Sequence, residues 1–422
     1  MILFPLVFSC LSQLTVAQFV PKNSALDVWP TDSWSTSTPE EQGMNSTYLS
    51  MMYDYIYNNS LDIGSILIIR NGIIVEEAYL EDSQVDESMT QPSSDYNWGT
   101  VIYNNEGYLR NWFSTTKSIS ALLIGIAIQN GFIDNISQTF FEFFPEKWNS
   151  SLDTRKLNIT IEHLLRMTSG IPWPFQPVFW SIYSEEDNPD YINDVLALDL
   201  TNDPGDPFDS FDVQYSTDAT NLLTAILNRS TGMYPEDFAR QYLFEPIGIE
   251  EEDWGWYKGA TGINWGGSGL CMHRRSMAKL AYLCHMNGTW DGTQILSNNF
   301  LQEVVSPGSG SMGSYYGYLF YLDNYSTTYD FYRTGGAFGQ NFYVVPELDL
   351  IFLVNGWDYE EPSRDILLTD YIIPSILNYE EPEPSGDTSI PGMPISLLSI
   401  CILTILAITI RKEKEEVTYR KE

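Results

Sequence analysis

The chain has 422 residues, enough for one large domain or two to three ordinary ones. Hydrophobic residues make up 43% and aromatics 14%, which excludes wholesale disorder. Acidic residues outnumber basic ones 56 to 21, a formal charge of −35, which excludes nucleic-acid binding through a basic face.

In chain order, residues 1–17 are uncharged, apolar at first, and end in Thr15-Val16-Ala17. They read as a secretory signal cleaved near Ala17, although no basic n-region precedes them. Gly64 to Tyr79 is two β-rich runs around Asn71-Gly72, a strong hairpin signal. Ser118 to Gln129 reads as a helix, with Ile119, Leu122, Leu123 and Ile126 at helical spacing and Gly131 as its stop. Further helices are expected over Thr160–Met167, Thr220–Leu227 and Arg275–Met286. Strands are expected over Tyr315–Leu322, Asp330–Arg333, Asn341–Val345 and Leu350–Asn355, then a closing helix over Asp365–Leu377. Strands, many helices, strands and a helix suit an α+β protein: an antiparallel sheet with a helical region inserted into it.

The C-terminal segments carry their own expectations. Residues 380–389 resemble a stiff polar spacer. Residues 390–410 are uncharged and long enough for a transmembrane helix across a hydrocarbon core about 30 Å thick. The basic tail 411–422 then faces the cytoplasm and the main body lies outside, as a single-pass cell-membrane protein. Asn45, Asn58, Asn135, Asn149, Asn158, Asn228, Asn287 and Asn324 open Asn-x-Ser/Thr sequons, in keeping with an exported glycoprotein.

The sharpest local feature is Trp112-Phe113-Ser114-Thr115-Thr116-Lys117-Ser118. Spacing of i, i+3 puts Ser114 and Lys117 on one helix face. A serine hydroxyl needs a base, and a lysine amine serves when burial lowers its pKa. A helix N-terminus also offers N–H groups to developing negative charge. The same residues fit a serine N-cap and a solvated lysine.

Context favours the first of these. In order along the chain come Pro39-Glu40-Glu41-Gln42-Gly43-Met44, Ser114-Thr115-Thr116-Lys117, the run Ile161 to Gly170 (IEHLLRMTSG), Pro204-Gly205, Tyr215-Ser216-Thr217, Phe244 to Ile249 (FEPIGI), Gly266 to Leu270 (GGSGL) and Arg333-Thr334-Gly335-Gly336. This succession resembles the serine β-lactamase and penicillin-binding-protein superfamily, especially its class C-like esterases and 6-aminohexanoate-oligomer hydrolases. The resemblance runs through most of residues 38–357. It implies a β-lactamase-like sandwich of an antiparallel sheet flanked by helices, over residues 38–379, with a mostly helical insertion at roughly 130–310.

Carried over by position, the resemblance implies Ser114 as the nucleophile of an acyl-enzyme. Lys117 would take or relay its proton. Tyr215, as a phenol of lowered pKa, would share that task and protonate the leaving group. The oxyanion hole would use the N–H of Ser114 and that of Gly336 or Ala337. Arg333, Thr334, Gly335 and Thr217 would line the substrate site; apart from the resemblance, Trp173, Phe175 and Trp180 follow Ser169-Gly170 and either line an aromatic pocket there or belong to the core. Thr217 stands where many members have Asn, and Arg333 where they have Lys or His. Arg333 keeps the positive charge and either grips a substrate carboxylate or pairs with an acidic neighbour.

Other constellations are weaker. The chain has three histidines, His163, His273 and His285, for any Ser-His-Asp triad. Cys284 and His285 are adjacent on a predicted helix and point different ways, so no metal site is expected. Cys10 and Cys401 lie in the terminal apolar segments, and Cys271 and Cys284 are too far apart along a helix for a disulfide. No cofactor is implied. The acidic excess serves solubility or draws cationic substrates. The resulting expectation is a surface serine hydrolase acting on a small-molecule or peptide-like ester or amide. The alternatives are a catalytically silent receptor on the same fold and a β-lactamase or D-alanyl-D-alanine carboxypeptidase.

Overall fold

The structure, a computed structural model, describes residues 29–80, 102–104, 107–173, 189–323, 329–356 and 363–376. The chain divides into two units, Met1–Asn378 and Tyr379–Glu422, and every described residue lies in the first.

The hairpin is present. Strands β1 (Ile63–Arg70) and β2 (Ile73–Tyr79) flank Asn71-Gly72, whose φ values of 54° and 75° supply the two left-handed residues of a tight hairpin turn. Next come β3 (Ile102–Asn104) and β4 (Gly107–Asn111). The middle of the chain adds β5 (Trp254–Trp256), β6 (Leu270–Met272) and a small ribbon, β7 (Thr289–Trp290) with β8 (Thr293–Gln294). The last strands are β9 (Tyr321–Asp323), β10 (Phe331–Arg333), β11 (Asn341–Val345) and β12 (Leu350–Gly356). The main sheet runs β2-β1-β12-β11-β10-β9, antiparallel throughout. Its central pairing joins the two ends of the fold, from Ser65 opposite Asn355 to Arg70 opposite Leu350. Strands β1, β11 and β12 are buried almost end to end because helices cover them, so they read as apolar runs rather than alternations.

The helices that frame the site are α1 (Ser46–Asn58), α2 (Thr115–Gln129), α3 (Ile161–Leu165), α4 (Tyr191–Ala197), α5 (Phe211–Gln214), α6 (Thr217–Thr231) and α7 (Arg274–His285). Helix α2 starts three residues earlier than its apolar periodicity predicts. Its first turns are polar yet fully buried, because each hydroxyl bonds a neighbouring loop. Thr115 Oγ1 donates to Gln340 O (2.6 Å), Ser118 Oγ to Leu319 O (2.5 Å) and Ser120 Oγ to Gly266 O (2.8 Å), while Thr116 Oγ1 accepts from the Leu270 N–H (3.1 Å). The apolar remainder, from Ile119 to Ala127, lies at the centre of the core. A helix apolar on all sides needs such a site.

Two expected elements differ. Tyr315–Leu322 is not one strand but a 3-10 turn, a loop and then β9. Leu319 takes φ 59° there, bonded to Leu165 through its N–H and to Ser118 through its carbonyl, so tertiary contacts override its β propensity. The closing segment is one α-helical turn at Ser363–Ile366 followed by a wide turn, Leu367–Ile372, rather than a regular helix.

The expected single-pass membrane location is corrected. Among the described residues no helix is long and apolar enough to cross a membrane. The longest, α2 and α6, have 15 residues, about 22 Å against a hydrocarbon core of about 30 Å. The apolar character of α2 belongs to the protein interior. The expected leader 1–17, spacer 380–389, span 390–410 and tail 411–422 lie outside the described residues.

Candidate active site

Ser114 sits at the N-cap of α2, but its side chain makes no cap hydrogen bond. Its Oγ lies 3.0 Å from Lys117 Nζ. The N-cap alternative for Ser114 therefore fails in the geometry. Phe113, the preceding residue, is held at φ 45°, where a bulky side chain is strained. Its N–H donates to Asn111 Oδ1 at 2.8 Å, and its ring packs 5.1 Å from that of Phe338. Strain of this kind persists only where surrounding contacts enforce it.

Lys117 is 1% exposed, so the solvated-lysine alternative fails too. Desolvation pulls its ammonium down to about 7, while the nearby Asp218 carboxylate works in the opposite direction. Nζ has two further partners, Gly267 O at 2.7 Å and Thr217 Oγ1 at 2.9 Å. A neutral amine has two N–H donors and one lone pair. One arrangement uses them all: the donors go to Gly267 and Thr217, and the lone pair faces the Ser114 hydroxyl.

Tyr215 follows α5 directly and its side chain lies beside the Ser114 hydroxyl, which works to lower its pKa. Its ring lies 4.8 Å from Lys117 Nζ and stacks on Phe211 at 4.3 Å. The expected lowered pKa of this phenol is overturned. Burial drives it well above its ordinary value, with Tyr321 adding to the rise. Buried apolar surroundings penalise a phenolate. The direction of the shift favours the protonated phenol.

The two expected oxyanion donors on the 336–337 turn are separated by their partners. Gly336 N–H is engaged by Gln340 O at 2.9 Å. The N–H groups of Ala337 and Ser114 have no acceptor among the described residues, and Ala337 is exposed. Gly336 lies so close to Trp112 that a Cβ there would sit 2.4 Å from its carbonyl oxygen, which brings the turn against the segment that carries Ser114.

The expected substrate-lining residues have varied placements. Trp173 is at the site, its ring 6.0 Å from Lys117 Nζ and 6.1 Å from Tyr215. Phe175 and Trp180 lie outside the described residues. Thr217 is buried against Lys117. Thr334 is fully buried; its hydroxyl donates to Thr115 Oγ1 (3.2 Å), whose own proton goes to Gln340 O, and accepts from the Phe342 N–H (3.0 Å), tying α2 to the sheet. Gly335 lies against the Tyr321 ring, where a Cβ would come within 2.4 Å. Arg333 pairs with Asp365 at 3.6 Å and lies over Tyr321 at 4.6 Å. Because these partners hold it, Arg333→Gln is expected to change KM equally for a neutral ester and a carboxylate-bearing one. A selective rise for the carboxylate substrate would show a grip on substrate instead.

Residues that sequence reasoning missed also converge here. Phe211, Tyr316 and Tyr321 build an aromatic wall around Tyr215, with Tyr316 and Tyr321 at 5.0 Å. Asp218 is buried one residue beyond the Tyr-Ser-Thr stretch. Its position next to that stretch was the only available signal.

The Beta-lactamase family model matches residues 96–368, well over half of the chain, and the chain belongs to that family, a family of β-lactamase-fold hydrolases. A 6-aminohexanoate-dimer hydrolase from Paenarthrobacter ureafaciens is 22% identical over 272 residues, covering 58% of this chain and 65% of its own. The chain thus spans less than two thirds of this curated relative. Among solved structures, EstCE1, a hydrolase with promiscuous acyltransferase activity, superposes with a TM-score of 0.59 at 13% identity, over 79% of this chain and 99% of its own. A family VIII carboxylesterase does so at 0.56 and 15%, over 80% and 97%. A penicillin-binding-protein homologue from Caulobacter crescentus gives 0.57 and 13%, over 81% and 99%.

Proposed function

We propose that the protein is a serine hydrolase that cleaves an ester or amide through an acyl-enzyme on Ser114. The observation that carries this reading is the 3.0 Å contact between Ser114 Oγ and a buried Lys117 whose pKa falls to about 7. Ser114 Oγ attacks the substrate carbonyl carbon while its proton passes to Lys117 Nζ. The oxyanion forms against the N–H groups of Ser114 and Ala337. Tyr215 protonates the leaving oxygen or nitrogen and recovers its proton from Lys117, so no net charge leaves the site. Water then repeats the sequence in reverse and releases the acid.

Two observations favour an uncharged ester or amide over a β-lactam or a peptide ending in a free carboxylate. Thr217 is spent on Lys117, and Arg333 is paired with Asp365. The aromatic rings of Trp173, Phe211 and Tyr215 suit an apolar acyl or leaving group.

The test uses the full chain, a fluorophosphonate probe and a p-nitrophenyl ester. Wild type is expected to label and to show a p-nitrophenol burst, with kcat/KM rising through about pH 7. Ser114→Ala is expected to lose both, a drop of about 10³-fold or more. A folded wild type that neither labels nor turns over would leave the silent-receptor alternative.

A further inference from the structure

Behind Lys117 runs a chain of hydrogen bonds that the proposed reaction does not itself require. The Gly267 carbonyl that accepts from Lys117 Nζ belongs to a segment packed flat on α6. A Cβ on Gly267 would sit 2.4 Å from Thr217 Cγ2 and 2.9 Å from Thr217 O. Only a glycine lets the carbonyl approach so closely. The Gly267 N–H donates to Asn221 Oδ1 at 2.9 Å. Asn221 Nδ2 in turn donates to Tyr191 Oη at 2.7 Å, and the Tyr191 hydroxyl donates to Asp218 Oδ1 at 2.7 Å. The direction of this chain is forced. Tyr191 has one proton, its oxygen already accepts from the amide, and the carboxylate can only accept.

Asp218 is 1% exposed and Asn221 6%. A carboxylate buried to this degree is costly unless it is bonded and faces a cation. Both conditions are met: Tyr191 supplies the bond, and Lys117 is the cation it senses.

We propose that Asp218, Tyr191 and Asn221 are positioning residues that hold Lys117 against Ser114, Asp218 by its charge and the other two through the Gly267 backbone. The inference rests on Lys117 being the base of the proposed hydrolysis. Asp218 acts as the opposing charge that keeps the buried amine from becoming too weak a base. Among the described residues, the other titratable or charged groups around Lys117 are Tyr215 ahead of α6, Tyr191 on α4, Tyr316 ahead of β9, Tyr321 on β9, and Arg333 on β10 beyond Tyr321. Asp218 is the one carboxylate among them.

The test follows fluorophosphonate inactivation and p-nitrophenyl ester hydrolysis of the full chain against pH, for wild type, Asp218→Asn and Tyr191→Phe. Asp218→Asn removes a negative charge that raises the Lys117 pKa, so the acid limb moves to lower pH. Tyr191→Phe takes away the hydrogen bond that holds the Asp218 carboxylate and Asn221 in place behind Lys117, so the limb moves the same way. Its kcat falls about 10-fold, with little change in KM, because Gly267 loses its fixed position. Tyr191 is half-buried, so its variant keeps the test open if Asp218→Asn does not fold. A limb unmoved in Tyr191→Phe, with only a lower melting temperature, overturns the proposal. Wild type lacking any Ser114-dependent inactivation overturns the hydrolase reading, and this inference with it. Ser114-dependent inactivation with an unmoved limb overturns this inference alone.

Discussion

Lys117→Met is expected to lose turnover by about 10³-fold and, at pH 6, to melt at a higher temperature than wild type. The first effect follows from removing the group 3.0 Å from Ser114 Oγ that, among the described residues, can take its proton near neutrality. The second follows from linkage. The unfolded chain holds the lysine proton up to about 10.5, and the folded chain releases it at about 7. Burying this amine therefore costs stability most fully below pH 7, of the order of 4 kcal/mol, and the cost shrinks as pH rises toward 10.5. Methionine fills a similar volume without that cost. It leaves Gly267 O and Thr217 Oγ1 without their lysine partner, which returns about 1–3 kcal/mol. A net gain of a few degrees at pH 6 should remain; it should close between about pH 8 and 10, where the burial cost falls to that of the lost bonds, and reverse above. Thermal melts of both proteins from pH 6 to 10.5 check it. A variant that melts lower at every pH would mean that the lysine is a structural strut first.

Gly339→Ala is expected to cost about 10²-fold in kcat and several kcal/mol in stability, although no atom of Gly339 takes part in the chemistry. Gly339 has φ 76°, and a Cβ there would lie 1.6 Å from the guanidinium carbon of Arg364. That guanidinium has little room to retreat. Arg364 is 3% exposed and donates to Phe338 O at 3.0 Å. The turn must move instead, and it carries Ala337. The rest of the turn is fixed by Gln340, whose Nε2 donates to Gly356 O at 2.7 Å and whose Oε1 accepts from Asn355 Nδ2 at 2.7 Å. A displaced Ala337 N–H no longer meets the oxyanion. Gly131→Ala is the control. Its φ of 74° carries the same backbone strain, but nothing lies within 4 Å of the added carbon. It should lose about 1–2 kcal/mol with kcat intact. Urea midpoints and kcat for the pair separate the two effects. Wild-type kcat in Gly339→Ala would mean that Ala337 is not an oxyanion donor.

Much of the fold was legible from local signals. Asn71-Gly72 has no good alternative to a hairpin turn, and the apolar runs of β11 and β12 have none to buried strands. The start of α2 was less legible. Thr115, Thr116, Lys117 and Ser118 look like a polar flank until the loops they bond are in place. Tyr315–Leu322 misled because its β propensity is local and its bonds to Leu165 and Ser118 are not. The site divides similarly. Ser114, Lys117 and Tyr215 stand in recognisable stretches, but Asp218, Asn221 and Tyr191 belong to no pattern that spacing can display.

By itself, then, the sequence determined what its short-range chemistry compels: the hairpin, the buried strands, the apolar helix, and a serine three residues before a lysine. The tertiary structure decided what depends on burial and on partners distant in the chain. Desolvation lowers the Lys117 pKa to about 7 and raises that of Tyr215. Gln340, 226 positions from Ser114, takes the Gly336 N–H, while that of Ala337 has no acceptor among the described residues. Asp365 claims Arg333. Each outcome turns on a solvation change or a contact that exists only once the chain has closed on itself, and no window of sequence contains it.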